Sequence, residues 1–158
     1  MNFHFSMTIR LLLLSAVIVA ESFAADVERP ILACSTTQVA DFARNIAGDQ
    51  WEVNCVLSPG QDPHMYQLQP KAISLVQSAT LCLDNGLHLE GGDWMRTVAK
   101  AEGIPIVSCS TGIKPLQLKD DGQTTSDPHA WFSTKNAAQY VRNIHQALIE
   151  YDPDNKSV

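Results

Sequence analysis

Apolar residues in this chain gather into four short runs, 31–34, 53–57, 81–83 and 104–109, separated by longer stretches in which they recur every three or four positions. Runs this short suit strands, and an unbroken apolar run suits a strand buried on both faces. The intervening stretches carry the helical period. Val39, Phe42, Ala43 and Ile46 share a face between a Ser35 or Thr36 cap and Gly48. Ile73, Leu75 and Val76 follow Pro70, a residue suited to the first helical turn, and Trp94, Met95, Val98 and Ala99 precede Gly103. A last stripe, Ala137, Tyr140, Val141, Ile144, Leu148 and Tyr151, meets a stop signal at Asp152-Pro153. Strand and helix in alternation predict an α/β fold, a four-stranded parallel sheet flanked by helices, with no internal linker. Residues 110–126, rich in Thr, Gly, Asp and Gln and without periodicity, predict a surface crossing.

Two loops in this scheme carry the same tripeptide, Asp62-Pro63-His64 and Asp127-Pro128-His129, and each has an aromatic residue two places on, Tyr66 and Trp131. Proline fixes its own φ and pushes the preceding aspartate toward extended backbone, so each histidine is presented at a rigid loop end. His64 falls just past the second strand. Ligands of open parallel sheets bind where the loops beyond the strands' carboxyl ends converge, and the crossing can return His129 to that edge. A single loop histidine beside an aspartate is usually a surface pair or a cap. The matched pair points instead to a metal site. Neutral imidazole binds Zn, Mn or Fe through one nitrogen while the other requires a carboxylate or carbonyl to fix its tautomer. His64 and His129 are therefore the expected ligands, Asp62 and Asp127 their orienting partners, and Tyr66 and Trp131 the walls.

Composition narrows the partners. A formal net charge of -6 over 158 residues, with no Lys/Arg cluster, argues against nucleic acid or anionic membrane and suits a cationic ligand. At the amino terminus Arg10 precedes an apolar run over 11–20, and Ser22-Phe23-Ala24 offers a cleavage site. Spanning a bilayer takes roughly twenty apolar residues. This run has about half that, so 1–24 is expected to be a signal peptide, with a periplasmic mature chain from Ala25 and no stable membrane insertion. Cys34 superficially resembles a lipidation site, but Asp26, Glu28, Arg29 and Pro30 separate it from the apolar run. Cys34, Cys55, Cys82 and Cys109 each fall in a separate apolar segment and have no Cys-x-x-Cys spacing, so they are expected to be buried hydrophobes rather than bridges or zinc ligands.

Three motifs in order, Pro59-Gly60-Gln61-Asp62-Pro63-His64-Met65-Tyr66 with Pro70, Asn85-Gly86-Leu87-His88-Leu89-Glu90, and Asp127-Pro128-His129-Ala130-Trp131, resemble the solute-binding proteins of bacterial metal-ion ABC transporters. The resemblance implies that His64 and His129 are metal ligands and that the fold is one lobe of a two-lobed clamp. It also implies that an ABC transporter permease takes the cargo. His88 is not a ligand in the members it resembles. The family adds a second lobe after a long connecting helix, so this chain is expected to be the N-terminal lobe over 25–133, with the start of the connecting helix over 134–158, apparently truncated. Zinc-specific members carry a His-rich acidic loop that 110–126 lacks, which favours manganese over zinc, with iron also possible.

The expected function is extracytoplasmic capture of a divalent metal by a monomer that is not an enzyme. An exported metallohydrolase would also use a two-histidine metal site. The chain has no His-Glu-x-x-His, no nucleophile elbow and no phosphate-binding loop, since Glu90-Gly91-Gly92-Asp93 lacks the spacing and the lysine. An adhesion or interaction module is permitted by the family's history but has no exposed motif behind it.

Overall fold

A computed structural model describes residues 28–120 and 123–153. The expected signal segment, 1–24, lies outside those residues. Four strands, β1 (Ile31–Cys34), β2 (Glu52–Cys55), β3 (Leu81–Asp84) and β4 (Ile106–Ser108), form one parallel sheet in the order β2-β1-β3-β4. Helices α1 (Thr37–Ala47), α2 (Pro70–Ser78), α3 (Trp94–Glu102) and α4 (Thr134–Tyr151) cover it. The expected α/β architecture is present.

Side chains alternate across the pleat, and both faces are buried. Leu32, Cys34, Leu81 and Leu83 face one way into a core with Val39, Ala43, Tyr140 and Ile144 of α1 and α4. Ala33 and Cys82 face the other way, onto Val76, Met95 and Ala99 of α2 and α3. All six of these strand residues are fully buried, which explains why the central strands read as unbroken apolar runs. Gly103 ends α3 in the left-handed region, φ 71°, returning its N–H to the carbonyls of Ala99 and Lys100.

Four expectations need correction. The 110–126 stretch contains an antiparallel hairpin, β5 (Gln117–Asp120) with β6 (Gln123–Ser126), paired from Gln117↔Ser126 to Asp120↔Gln123. Leu118 is its single apolar residue, so no alternation marked it as strands. On α4 the buried stripe is Tyr140, Ile144, Ala147 and Leu148, whereas Val141, at the edge of that stripe, and Tyr151, the last residue of the helix, are exposed. Cys55 is only half-buried, because β2 is an edge strand, while the other three cysteines are buried and all four thiols are free. Burial pushes the Cys82 thiol up to about 12 and raises Cys34 and Cys109 as well. Thr36 takes the α1 cap position without a capping bond, and its hydroxyl is buried without a partner.

The strand order positions the site. The chain leaves β1 for β2 on one side and then crosses back to β3 on the other, so the loops beyond β1 and β3 diverge over the middle of the sheet. Ser35 follows β1 and Asn85 follows β3, both buried at this switch point. Among the described residues, no helix is long and apolar enough to cross a membrane.

Candidate metal site

Each Asp-Pro-His ties its histidine's main chain to its aspartate. Asp62 Oδ1 accepts the backbone N–H of His64 at 2.9 Å, and Asp127 Oδ1 accepts that of His129 at 3.0 Å. A one-turn 3-10 helix accompanies each motif but in a different register, Pro63–Met65 including His64 and Ala130–Phe132 starting after His129. The hairpin delivers the second turn, since the N–H of Asp127 bonds the carbonyl of Leu116 at 2.7 Å beside the close of the β5–β6 ladder.

The two imidazoles meet over the carboxyl edge of the sheet. His64 Nε2 lies 3.4 Å from His129 Nε2, with ring centroids 5.4 Å apart. On the far side of the His129 ring, Nδ1 contacts Asp127 Oδ1 at 2.8 Å. The backbone N–H of His129, and then its ring, hold the Asp127 carboxyl below the ordinary carboxylate range. An ionised Asp127 keeps the proton on Nδ1, which leaves the Nε2 lone pair facing His64. Among the described residues, no group of three or more His, Cys, Asp and Glu side chains is placed to hold a metal, so this edge offers two nitrogen donors.

The expected walls differ. Trp131 packs edge-on to His129 with centroids 5.4 Å apart, and Phe132 lies parallel to the same ring at 6.4 Å. Tyr66 turns instead to Trp94 of α3, 5.1 Å between centroids. Asp62 bonds only the His64 main chain, not its ring. His88 is exposed and lines a separate recess with Asp84, Glu90 and Arg96, where Arg96 pairs with Asp84 at 2.8 Å. Phe132 had no signal in the sequence beyond its place after Trp131.

Beneath the histidines lies a buried polar cluster. Glu90 Oε1 accepts the Ser35 hydroxyl and the Asn85 N–H, both at 2.7 Å. Burial raises the Glu90 carboxyl above its ordinary value, opposed by those same bonds. Asn85 Nδ2 donates to the carbonyls of Gly86 at 2.8 Å and Pro128 at 3.2 Å, and its Oδ1 accepts the Tyr140 hydroxyl at 2.8 Å.

Comparison with known proteins shows the family of the chain. Residues 32–158 match the family described as ZnuA, zinc-uptake complex component A periplasmic. The chain belongs to this family. Its relatives include the iron-binding protein YfeA of Yersinia pestis, 36% identical over 144 residues covering 89% of this chain and 46% of the relative. The manganese ABC transporter substrate-binding lipoprotein PsaA of Streptococcus pneumoniae is 35% identical over 125 residues, 75% of this chain and 40% of the relative. Among solved structures, the Mn-bound periplasmic metal binding protein from candidatus liberibacter asiaticus superposes with TM-score 0.73 at 34% identity, covering 81% of this chain and 48% of that one. This member of the ZnuA family thus spans less than half the length of the relatives it matches.

Proposed function

We propose that the chain captures a divalent transition metal outside the cytoplasm and releases it to the permease of an ABC transporter, with His64 and His129 as ligands through Nε2. The carrying observation is the 3.4 Å between the two Nε2 atoms. Nitrogens each about 2.0–2.1 Å from one tetrahedral ion stand roughly 3.3–3.4 Å apart, so the spacing matches that of two ligands on a single ion. The functions of the relatives, iron binding and manganese transport, support cargo of this class.

Residues 25–133 form the metal-binding lobe in this reading, and α4 begins the helix that leads away from it. Two imidazoles leave coordination positions that water or further ligands fill, so the chain alone binds metal more weakly than a closed four-ligand site. Manganese and zinc are the cargo candidates, with iron third; two nitrogens do not separate them. The role is binding and release by an exported monomer, without bond chemistry.

Titration of the purified chain with Mn²⁺ and Zn²⁺, beside His64→Ala and His129→Ala, tests the assignment. One ion per chain is expected, lost in both variants. Equal binding by all three proteins would falsify it.

A further inference from the structure

Residues 86–91 hold an unusual backbone. Gly86, Leu87, His88 and Gly91 all have positive φ, at 77°, 56°, 61° and 66°. For Leu87 and His88, which carry a Cβ, that conformation is strained and persists only where the surroundings over-determine it. Here the surroundings are the buried bonds of Glu90 to Ser35 and to the Asn85 N–H.

The strained segment touches both histidine turns. At one end the fully buried Asn85 uses its whole side chain, donating to the Pro128 carbonyl directly before His129 and accepting from Tyr140. At the other end Gly91 packs on the His64 main chain so tightly that an added Cβ would overlap the His64 carbonyl oxygen and lie 3.0 Å from its carbonyl carbon. A Cβ added at Gly92, one residue on, would meet nothing within 4 Å. His64 is itself solvent-exposed, so this backbone contact, with the Asp62 bond, stands in for side-chain packing.

We propose that the 85–91 segment is a positioning element: Asn85, itself held by Tyr140, and Gly91 set the main chains of His129 and His64 so that their Nε2 atoms stand at one-ion spacing before any ion arrives. The proposal rests on the two histidines being ligands. Neither Asn85 nor Gly91 reaches the ion; each acts through the backbone of a neighbour.

Zn²⁺ and Co²⁺ are the probes, with affinity, the visible band of bound Co²⁺ and the melting temperature read on each variant. Gly91→Ala and Tyr140→Phe are expected to weaken binding by roughly 10–100-fold, the range for loss of groups that orient ligands, and to change the Co²⁺ band. Gly103→Ala supplies the control for strain alone, because Gly103 also has positive φ, 71°, but nothing within 4 Å of an added Cβ. It should lower the melting temperature and leave affinity and band unchanged, and Gly92→Ala should change neither. Wild-type affinity in both Gly91→Ala and Tyr140→Phe, with binding still lost in His64→Ala and His129→Ala, overturns the positioning role and leaves the ligand assignment standing. An affinity loss in Gly103→Ala as large as in Gly91→Ala overturns it too, since the effect would follow stability. Undiminished binding in the histidine variants removes the ligand assignment and the positioning role together.

Discussion

The two Asp-Pro-His turns share a sequence and an aspartate-to-N–H bond but hold their rings differently. In both, the aspartate accepts the histidine N–H, at 2.9 Å in the first and 3.0 Å in the second. Only Asp127 also reaches the ring, and only His129 has aromatic neighbours, Trp131 and Phe132, beside its ring. His64 is exposed, and its ring meets no partner but His129 among the contacts described. One turn thus fixes an imidazole in orientation and tautomer, while the other fixes mainly its backbone. The repeat sets where each histidine starts; its surroundings set where the ring points.

The strongest way to break this comparison is to remove each ring in turn. His129→Ala and His64→Ala should both lower metal affinity by more than the roughly 10–100-fold that follows loss of an orienting partner, with the larger loss at the pre-oriented His129. Calorimetric titration measures both, and a larger loss at His64 would reverse the ranking.

Removing the aspartates comes next. Asp127→Ala and Asp62→Ala each delete an acceptor for a turn N–H, of the kind worth about 0.5–2 kcal/mol at a helix cap, so chemical denaturation should find similar stability losses. Their metal affinities should separate, with a drop of about 10–100-fold for Asp127→Ala and only a few-fold for Asp62→Ala. Equal affinity losses would mean that the Asp127 contact with Nδ1 contributes nothing to binding.

The smallest effect lies beneath both turns, at Glu90. Its folded carboxyl is raised above the ordinary 4.5 by burial, so protonated Glu90 favours the fold. That contribution is full below 4.5 and is lost as pH rises through the raised folded value. Glu90→Gln, which keeps an acceptor oxygen for Ser35 and Asn85, should flatten this part of the stability–pH curve with little change in metal affinity near neutral pH. Denaturant melts across the acid range measure the slope, and an unchanged slope would place the pH dependence elsewhere.

Much of the fold was legible because its signals are local. The central strands are buried on both faces and so read as apolar runs; Pro70 and Gly103 mark helix ends through their own backbone preferences. The β5–β6 hairpin was not legible, since Gln123, Thr124, Thr125 and Ser126 are all exposed and carry no hydrophobic alternation. The inner stripe of α4 was half legible: the period placed Tyr140, Ile144 and Leu148, but only the position of the sheet turned Val141 outward. At the site, the two histidines and Asp127 were visible as a repeat. Tyr66 matched Trp131 in the sequence yet packs on Trp94, because identical spacing along a chain does not give identical neighbours in space.

The sequence by itself determined the alternation of strand and helix, the burial of the central strands and the aspartate-to-N–H bond of both turns, because these follow from side-chain periodicity and from proline's fixed φ. Tertiary structure decided the 3.4 Å between the imidazoles, the single aspartate that orients a ring, and the hold of Asn85 and Gly91 on the two histidine turns. Those depend on the strand order β2-β1-β3-β4, which brings loops distant in the chain to one edge of the sheet. Local preference shapes a turn within a few residues; the distance between two turns is set by everything packed beneath them.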